Sequence, residues 1–298
     1  MTRVRVLVVT GLLWMCGSVA AGEEGLFPFV VAYDTPANAT NVSAWLDRPA
    51  GVHGFIRVEG GHLKNDAGPV RFWATNICFE ACFPTHQQAE RLAARLARLG
   101  INCVRMHHMD NYSIWGDSPN KLTIDPRKLE RLDYFIAQLK KHGVYTNLNL
   151  HVSRWFGEEE GFSGRAQRPE YDKGLDNFEP RMIEFQKKYA RDLLRHVNPY
   201  TGNPYTREPA IAFVEINNEN ALHATWGEGQ IDRLPEPYSS TFQKLWNGWL
   251  MRKYGGTEQL RKAWNAEAAP AGRELLRNGN FGSALESPWN LERDDDAQ

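Results

Sequence analysis

Apolar and polar positions alternate in two ways along this chain, and the two patterns follow each other in a regular order. From residue 85 onward, stretches with apolar residues three and four positions apart are separated by short, nearly continuous apolar runs. The first spacing predicts helices with one buried face, and the short runs predict buried strands. We expect helices at 85–100, 125–143, 179–197, 238–256 and 258–264, and strands at 70–76, 101–106, 144–150 and 210–216.

The ends of the first two helices carry signals of their own. Thr85 is followed three residues later by Gln88, which is the pattern of a capping box. The second helix opens with Asp125 directly ahead of a proline, a combination typical of a helix N-terminus. Gly100 and Gly143 follow the two helices and are predicted to end them.

Strands that alternate with helices predict an α/β fold with a parallel sheet. Two architectures fit this order, an open doubly wound sheet and a (β/α)8 barrel of the TIM-barrel type. The open sheet normally places a glycine-rich turn after its first strand, whereas the first strand here continues as ATNICFEACFP. Polar side chains instead follow all four strands, as a barrel active site requires. These side chains are Asn76, Arg105, His107, His151, Asn218 and Glu219.

The barrel is therefore the favoured fold, and four strands are half of its eight. We expect the N-terminal half only, about four βα units, with the chain truncated after the fourth strand. Turn signals at Gly60–Gly61 and at 65–68 predict a small hairpin ahead of the first barrel strand. The expected divisions are a signal peptide at 1–21, an N-terminal extension at 22–54, the barrel part at 55–270, and at 271–298 the truncated start of a possible carbohydrate-binding β-sandwich module.

The first 21 residues have the pattern of an export signal. The basic stretch MTRVR precedes the apolar run VLVVTGLLWMCGSVA, and small residues follow for cleavage. A membrane anchor is the alternative, but the run is shorter than the roughly 20 residues a spanning helix needs. A lipid anchor on Cys16 is a further alternative, which bulky Met15 disfavours. The sequence predicts a periplasmic or extracellular protein without a membrane span.

Composition reduces the number of functional classes that fit this chain. The chain has 298 residues, a formal net charge of −1 and 42% hydrophobic residues, so it can bury a large core and offers no basic surface for nucleic acid. Cleavage of the signal would leave Cys78, Cys82 and Cys103. Cys78 and Cys82 lack the spacing of a metal site, and Cys103 reads as a small core residue. We expect neither a metal nor a cofactor.

The stretch PAIAFVEINNEN brings two acids to the end of the fourth strand. In an extended strand Glu215 and Glu219 are about 13 Å apart, too far for the carboxyl pair of a glycosidase, which needs about 5–9.5 Å. Glu215 is therefore predicted to face the barrel interior and to pair with a cation, either Arg105 or a lysine. Glu219 is predicted to face the cleft, where an acid can donate a proton.

These residues resemble a known family. FVEINNEN looks like the fourth-strand motif of the clan of (β/α)8 retaining glycoside hydrolases that includes the family 5 cellulases and mannanases, and RFWATNIC, GINCVRMH, GVYTNLNLH and LWNGWLMRKYG are similar to other segments of that clan. The resemblance implies that Glu219 is the general acid/base and Asn218 the ligand of the sugar 2-hydroxyl. It also implies that Arg105 borders the nucleophile and that His151 lines the sugar site.

The clan's nucleophile is a glutamate at the end of the seventh strand, which this chain is not expected to contain. The predicted function is that of an exported glycoside hydrolase that acts with retention on a β-linked glucan or mannan. Two alternatives remain open: a non-catalytic carbohydrate-binding protein on a decayed barrel, and a secreted hydrolase of another substrate class. The oligomeric state is open.

Several aromatic and charged residues have a functional and a structural interpretation. Trp115, Trp155 and Trp226 lie in loops after strands and are candidates for stacking on sugar rings, with loop packing as the alternative. Of the adjacent His107 and His108, at most one is expected to face inward. The helically spaced Trp246, Trp249 and Trp264 are expected in the core, and the acidic GEEEG stretch at 157–161 in a solvated loop.

Overall fold

The computed structural model describes residues 38–265. The proposed signal peptide, the first part of the N-terminal extension and the proposed module at 271–298 lie outside this range. The strands are β1 (Arg57–Glu59), β2 (His62–Asn65), β3 (Gly68–Pro69), β4 (Ala74–Cys78), β5 (Cys103–His107), β6 (Tyr145–Asn149) and β7 (Ile211–Glu215). The α-helices are α1 (His86–Arg98), α2 (Pro126–Lys141), α3 (Pro180–Arg195), α4 (Leu222–Gly227), α5 (Tyr238–Tyr254) and α6 (Thr257–Asn265).

The main sheet contains four parallel strands in the order β4-β5-β6-β7. Helices α1, α2 and α3 connect successive strands, which confirms the predicted α/β rhythm. Each strand lies beside its predecessor in the chain, and consecutive strands of a barrel have this order. Among residues 38–265, β4 and β7 each pair along one edge only.

The two faces of this sheet differ in polarity because side chains alternate along each strand. Val104, Met106 and Leu148 point to the face covered by the helices, and all three are fully buried. The opposite face carries polar groups in register, since Arg105 is the strand partner of both Asn76 and Asn147. The sheet thus has an apolar face that packs against the helices and a polar face whose side chains can bind a ligand.

The predicted helix caps are confirmed. Thr85 Oγ1 accepts a hydrogen bond from the backbone N–H of Gln88, and the Gln88 side chain accepts one from the backbone of Thr85. Asp125 accepts from two N–H groups of the first turn of α2, with Pro126 as the first helical residue. Gly100 and Gly143 have φ values of +76° and +82°, a left-handed conformation that ends both helices at little steric cost.

The N-terminal strands depart from the prediction in two ways. The small sheet has three antiparallel strands, because Gly68–Pro69 pairs back onto β2. The first barrel strand begins at Ala74, four residues later than expected. The backbone N–H of Val70 still bonds to Leu63 of the small sheet, and the backbone N–H of Trp73 donates to the side chain of Asn102. These two N–H groups are therefore hydrogen-bonded to partners outside the parallel sheet.

Helix α5 corrects a prediction about the core. Trp246 and Trp249 were expected to be buried, but they are 43% and 40% exposed and stack on each other with ring centroids 5.1 Å apart. Trp264 of α6 is 58% exposed. Its indole N–H donates to the hydroxyl of Tyr254 on α5 over 3.3 Å, a contact that leaves most of the Trp264 ring open. Helical spacing alone does not show whether a partner covers such rings. The sequence also gave no indication of the short helix α4.

The three cysteines between residues 38 and 265, Cys78, Cys82 and Cys103, are free thiols, and Cys82 and Cys103 are buried. Burial raises the pKa of Cys82, and it raises the pKa of Cys103 to about 12, so neither readily forms the thiolate that a metal ligand must be. Between residues 38 and 265 there is no cluster of three or more histidine, cysteine, aspartate or glutamate side chains suited to a metal ion. No helix in this range has the length and hydrophobicity to cross a bilayer.

Candidate active site

Arg105 and Glu215 form the central ion pair on the polar face of the sheet. Arg105 Nε donates to Glu215 Oε2 over 2.7 Å, and Arg105 Nη2 bonds to Oε1 of the same carboxylate. Asn147 Nδ2 lies 3.4 Å from Oε2. The hydrogen bond from Arg105 lowers the pKa of Glu215 despite partial burial, so this carboxylate is ionised at neutral pH. Of the two cations considered for Glu215, the structure selects Arg105.

Arg105 also reaches the segment that follows β7. Its Nη2 donates to Asn218 Oδ1 over 2.8 Å, which orients the amide of Asn218. The backbone N–H of Asn218 donates to the carbonyl oxygen of His151 over 2.9 Å, joining the ends of β6 and β7. Arg105 and Asn218, predicted from separate strands, are therefore in direct contact.

Glu219 lies in the segment that follows β7, four residues beyond its last residue, and its predicted position facing the cleft stays a prediction. Its side chain is 83% exposed, and Oε2 is 3.9 Å from Lys173 Nζ. The backbone of Glu219 has φ of +48°, a left-handed conformation that a non-glycine residue rarely adopts. The chain turns sharply at this residue and carries its carboxylate away from the β7 ladder.

His107 and His108 both contribute to the end of β5. His107 lies on the face of Arg105 and accepts a hydrogen bond from Asn149 over 3.2 Å, and burial together with Arg105 lowers its pKa to about 4. Strand alternation would turn His108 away, but its φ is +56° and its ring lies 4.2 Å from that of His107. The two rings are therefore in contact, and the expectation that at most one of them faces inward stays a prediction. His108 Nδ1 contacts Ser153 Oγ at 2.8 Å.

His151 is not in the position that the sequence predicted. Its side chain is buried between two carboxylates, with Nδ1 2.9 Å from Asp110 Oδ2 and Nε2 2.5 Å from Asp176 Oδ2. Both ring nitrogens are occupied, so the ring offers no group to a sugar in this structure.

Trp115 is also buried, which corrects its prediction as a sugar-stacking ring. Its indole N–H donates to the backbone carbonyl of Asp110 over 2.9 Å, and its ring packs against Tyr189 and the guanidinium of Arg154. Trp115 is 3% exposed, so its faces are filled by protein. The alternative of loop packing holds for this residue.

The other two loop tryptophans differ from each other. Trp155 is half-buried, with Lys121 Nζ 3.6 Å and the Arg165 guanidinium 5.3 Å from its ring centroid. Trp226 on α4 is 60% exposed and has free ring surface. Asn76 was expected at the end of the first barrel strand but lies in the middle of β4, where it is exposed and in register with Arg105. Sugar contact by Trp155, Trp226 and Asn76 stays a prediction.

Sequence reasoning missed three residues that organise the site. Asp110 and Asp176 hold His151, and Asn220 Nδ2 donates to Asp176 over 2.9 Å. Asp110 could have been noticed as an acid shortly after β5, but Asp176 lies in a long polar loop without a periodic pattern. The expected solvated loop at 157–161 also needs correction, because Glu160 is buried and accepts from the backbone N–H groups of Gly157 and Lys121.

Comparison with known proteins defines the class of this chain. The model of the family described as cellulase (glycosyl hydrolase family 5) matches residues 65–247. The chain therefore belongs to glycosyl hydrolase family 5, and the resemblance seen in FVEINNEN is confirmed at the family level.

Individual relatives are more distant. Mannan endo-1,4-beta-mannosidase 5 of Solanum lycopersicum is 22% identical over 275 residues, covering 82% of this chain and 64% of the relative. A beta-xylosidase of Phanerodontia chrysosporium is 38% identical over 61 residues, 20% of this chain and 12% of the relative. The chain thus spans 64% of the length of the tomato mannosidase.

Two solved structures align with parts of this chain. The endo-1,4-beta-mannanase from Rhizomucor miehei aligns with a TM-score of 0.44 at 23% identity, covering 56% of this chain and 48% of that one. The glycoside hydrolase family 5 mannosidase from the same organism aligns with a TM-score of 0.47 at 15% identity, covering 60% and 52%.

Proposed function

We propose that the protein is an exported retaining glycoside hydrolase that cleaves O-glycosidic bonds in a β-linked glycan of the mannan or glucan type. The observation that carries the proposal is the exposed Glu219 carboxylate at the open end of the parallel sheet, beside an asparagine that Arg105 holds in place. Family membership and the mannan-cleaving relatives named above support the substrate class. Export rests on the sequence pattern of residues 1–21.

The proposed roles follow from the hydrogen-bonding groups that are available. Glu219 in its acid form protonates the glycosidic oxygen as the bond breaks, and as a carboxylate it then takes a proton from the attacking water. Asn218 Oδ1 already accepts from Arg105, so its Nδ2 group is the end that donates to a sugar hydroxyl. No cofactor takes part in these steps.

Retention also needs a second carboxylate about 5–5.5 Å from the first, which forms the covalent glycosyl intermediate. Glu215 does not suit this role, because both of its oxygens bind Arg105 and the ion pair weakens its nucleophilicity. We place the nucleophile outside residues 38–265, on another strand of the same barrel.

The test replaces Glu219 by Gln in the full-length protein. We expect kcat on mannan or β-glucan to fall by about 10²- to 10⁴-fold, since an amide cannot transfer the proton. Activity on an aryl glycoside with a good leaving group should fall less at the bond-breaking step, because this substrate needs little protonation. Glu159→Gln, in an exposed part of the acidic loop, is the matched control and should keep full activity.

Two results would contradict the proposal. Undiminished hydrolysis of the glycan by Glu219→Gln would remove the acid/base assignment. Calorimetry that detects oligosaccharide binding by the parent protein, with no product formed, would favour the carbohydrate-binding alternative instead.

A further inference from the structure

A buried ion cluster lies beneath the segment 218–220. It consists of His151 and the two aspartates on either side of its ring, Asp110 and Asp176. The side chains of the aspartates are 0% exposed and that of His151 is 4% exposed. The cluster joins the loop after β5, the end of β6 and the long loop ahead of α3.

The geometry favours a protonated ring. Each ring nitrogen faces a carboxylate oxygen at 2.5–2.9 Å, and only the imidazolium form has an N–H donor at both nitrogens. Burial alone would lower the pKa of His151, but hydrogen bonds and charge from Asp110 and Asp176 raise it to about 9. A neutral ring would set a nitrogen lone pair against one of two buried anions.

The Asp110 side of the cluster fixes the loop after β6. Besides His151, the Asp110 carboxylate accepts hydrogen bonds from the backbone N–H groups of Val152, Ser153 and Arg154 at 2.9–3.2 Å. Since the carboxylate is fully buried, these donors have no water to replace it. The Asp110 side chain therefore stabilises the turn that follows His151.

The Asp176 side reaches the candidate acid/base. Asn220 Nδ2 donates to both oxygens of Asp176 at 2.9 and 3.1 Å, and Asn220 Oδ1 accepts from the backbone N–H of Gly174 at 2.8 Å. On the other side of Glu219, the backbone N–H of Asn218 donates to the carbonyl of His151. The residues before and after Glu219 are thus both tied to the cluster, and its left-handed backbone is held between them.

We propose that His151 is a positioning residue that, as an imidazolium, joins Asp110 to Asp176 and thereby holds Glu219 at the mouth of the site, and that its deprotonation releases this hold. The catalytic part of this proposal rests on the role proposed for Glu219. His151 itself touches no reacting atom.

Other ionisable groups near His151 do not account for the same pH range. Arg154, Lys187 and Tyr189 line the same cavity. Burial lowers the pKa of Arg154 only to about 10, and burial raises that of Tyr189. Lys187 lies at the surface and pairs with Glu184. His151 is the group of this set that touches both Asp110 and Asp176.

The first measurement is nitrogen NMR of the parent protein with isotope-labelled histidine and asparagine. We expect both ring nitrogens of His151 to carry protons at pH 7.5, and the side-chain amide signals of Asn220 to shift as His151 titrates. This readout does not depend on activity. A neutral His151 ring at pH 7.5, or Asn220 signals that ignore the titration, would overturn the proposal.

The second measurement uses Asp176→Asn in the full-length enzyme. Removing one charge lowers the pKa of His151, so the alkaline limb of kcat should move to lower pH by one unit or more while KM changes less than twofold. Asp192→Asn on the surface of α3 is the matched control and should leave the profile unchanged. Activity reduced equally at every pH would show a merely structural role and overturn the proposal.

The two proposals fail in different ways. If Glu219→Gln leaves hydrolysis intact, the proposed function fails while the NMR coupling of His151 to Asn220 stands on its own. If Glu219→Gln abolishes hydrolysis but Asp176→Asn leaves the pH profile in place, the positioning role alone is lost.

Discussion

Two charged assemblies flank the segment that carries Glu219, and they are built differently. Arg105 and Glu215 come from strands of the sheet and keep 21% and 28% of their side chains exposed. The His151 cluster is formed under loops and is almost completely dry. The Arg105–Glu215 pair is therefore accessible to solvent, while the His151 cluster lies buried beneath the segment 218–220.

The difference in burial determines how each assembly responds to damage. An exposed group that loses its partner recovers much of the lost energy from water. A buried charge without a partner has no such compensation, so its loss is costly and affects every loop attached to it. Substitutions in the dry cluster should therefore reduce stability, whereas those in the open pair should mainly change activity.

The largest effect is expected for Asp110→Ala. This change leaves a buried imidazolium with one carboxylate and removes the acceptor of three backbone N–H groups, so we expect a loss of about 3–5 kcal/mol in the free energy of unfolding. Urea denaturation at pH 7 measures it. Asp117→Ala removes an exposed carboxylate that pairs with Arg127 and serves as the control. Equal stability of the two variants would contradict the comparison.

The second prediction concerns pH. Because the folded state raises the pKa of His151 to about 9, the stabilisation is complete below about pH 6.5 and is lost as pH rises through 9. The free energy of unfolding should decline by about 1.4 kcal/mol per pH unit inside that window. Asp133 also raises the pKa of His196, so the measurement belongs in a His196→Gln background. A flat profile there would refute the prediction.

The smallest change in stability is expected for Glu215→Gln. This substitution keeps the shape of the side chain and replaces an ion pair that is partly exposed, so the cost should be about 1–2 kcal/mol. Activity should fall by about tenfold or more, because Arg105 loses the anchor that aligns it with Asn218. Glu59→Gln tests an exposed ion pair of the small sheet and should leave activity unchanged. A stability loss as large as that of Asp110→Ala would remove the distinction between the two assemblies.

The same comparison explains what the sequence could predict. Strand alternation places Arg105 and Glu215 because their positions follow from period and register within single strands. Glu219 lies four residues beyond β7 on a left-handed backbone, so alternation does not predict where its side chain lies. Helix caps such as Thr85 are equally local. The His151 cluster joins loops 25 and 41 residues apart in sequence, and no periodic rule links their members.

Burial of loop aromatics was unpredictable for a related reason. Trp115 and Trp226 both follow strands, yet one is enclosed by Tyr189 and Arg154 and the other is open to solvent. Whether a loop ring is covered depends on tertiary neighbours that the local sequence does not name. Trp246 shows the opposite error, because helical spacing predicted a buried ring and the ring is exposed.

The left-handed backbone at Glu219 has a consequence for stability. A side chain with a Cβ in this conformation costs about 1–2 kcal/mol relative to glycine, and asparagine tolerates it better than glutamate. A substitution at position 219 by a residue better suited to this conformation would therefore raise the stability of the fold and remove the carboxylate. Glutamate at this position therefore lowers the stability of the fold and keeps a carboxylate at the carboxyl end of the sheet.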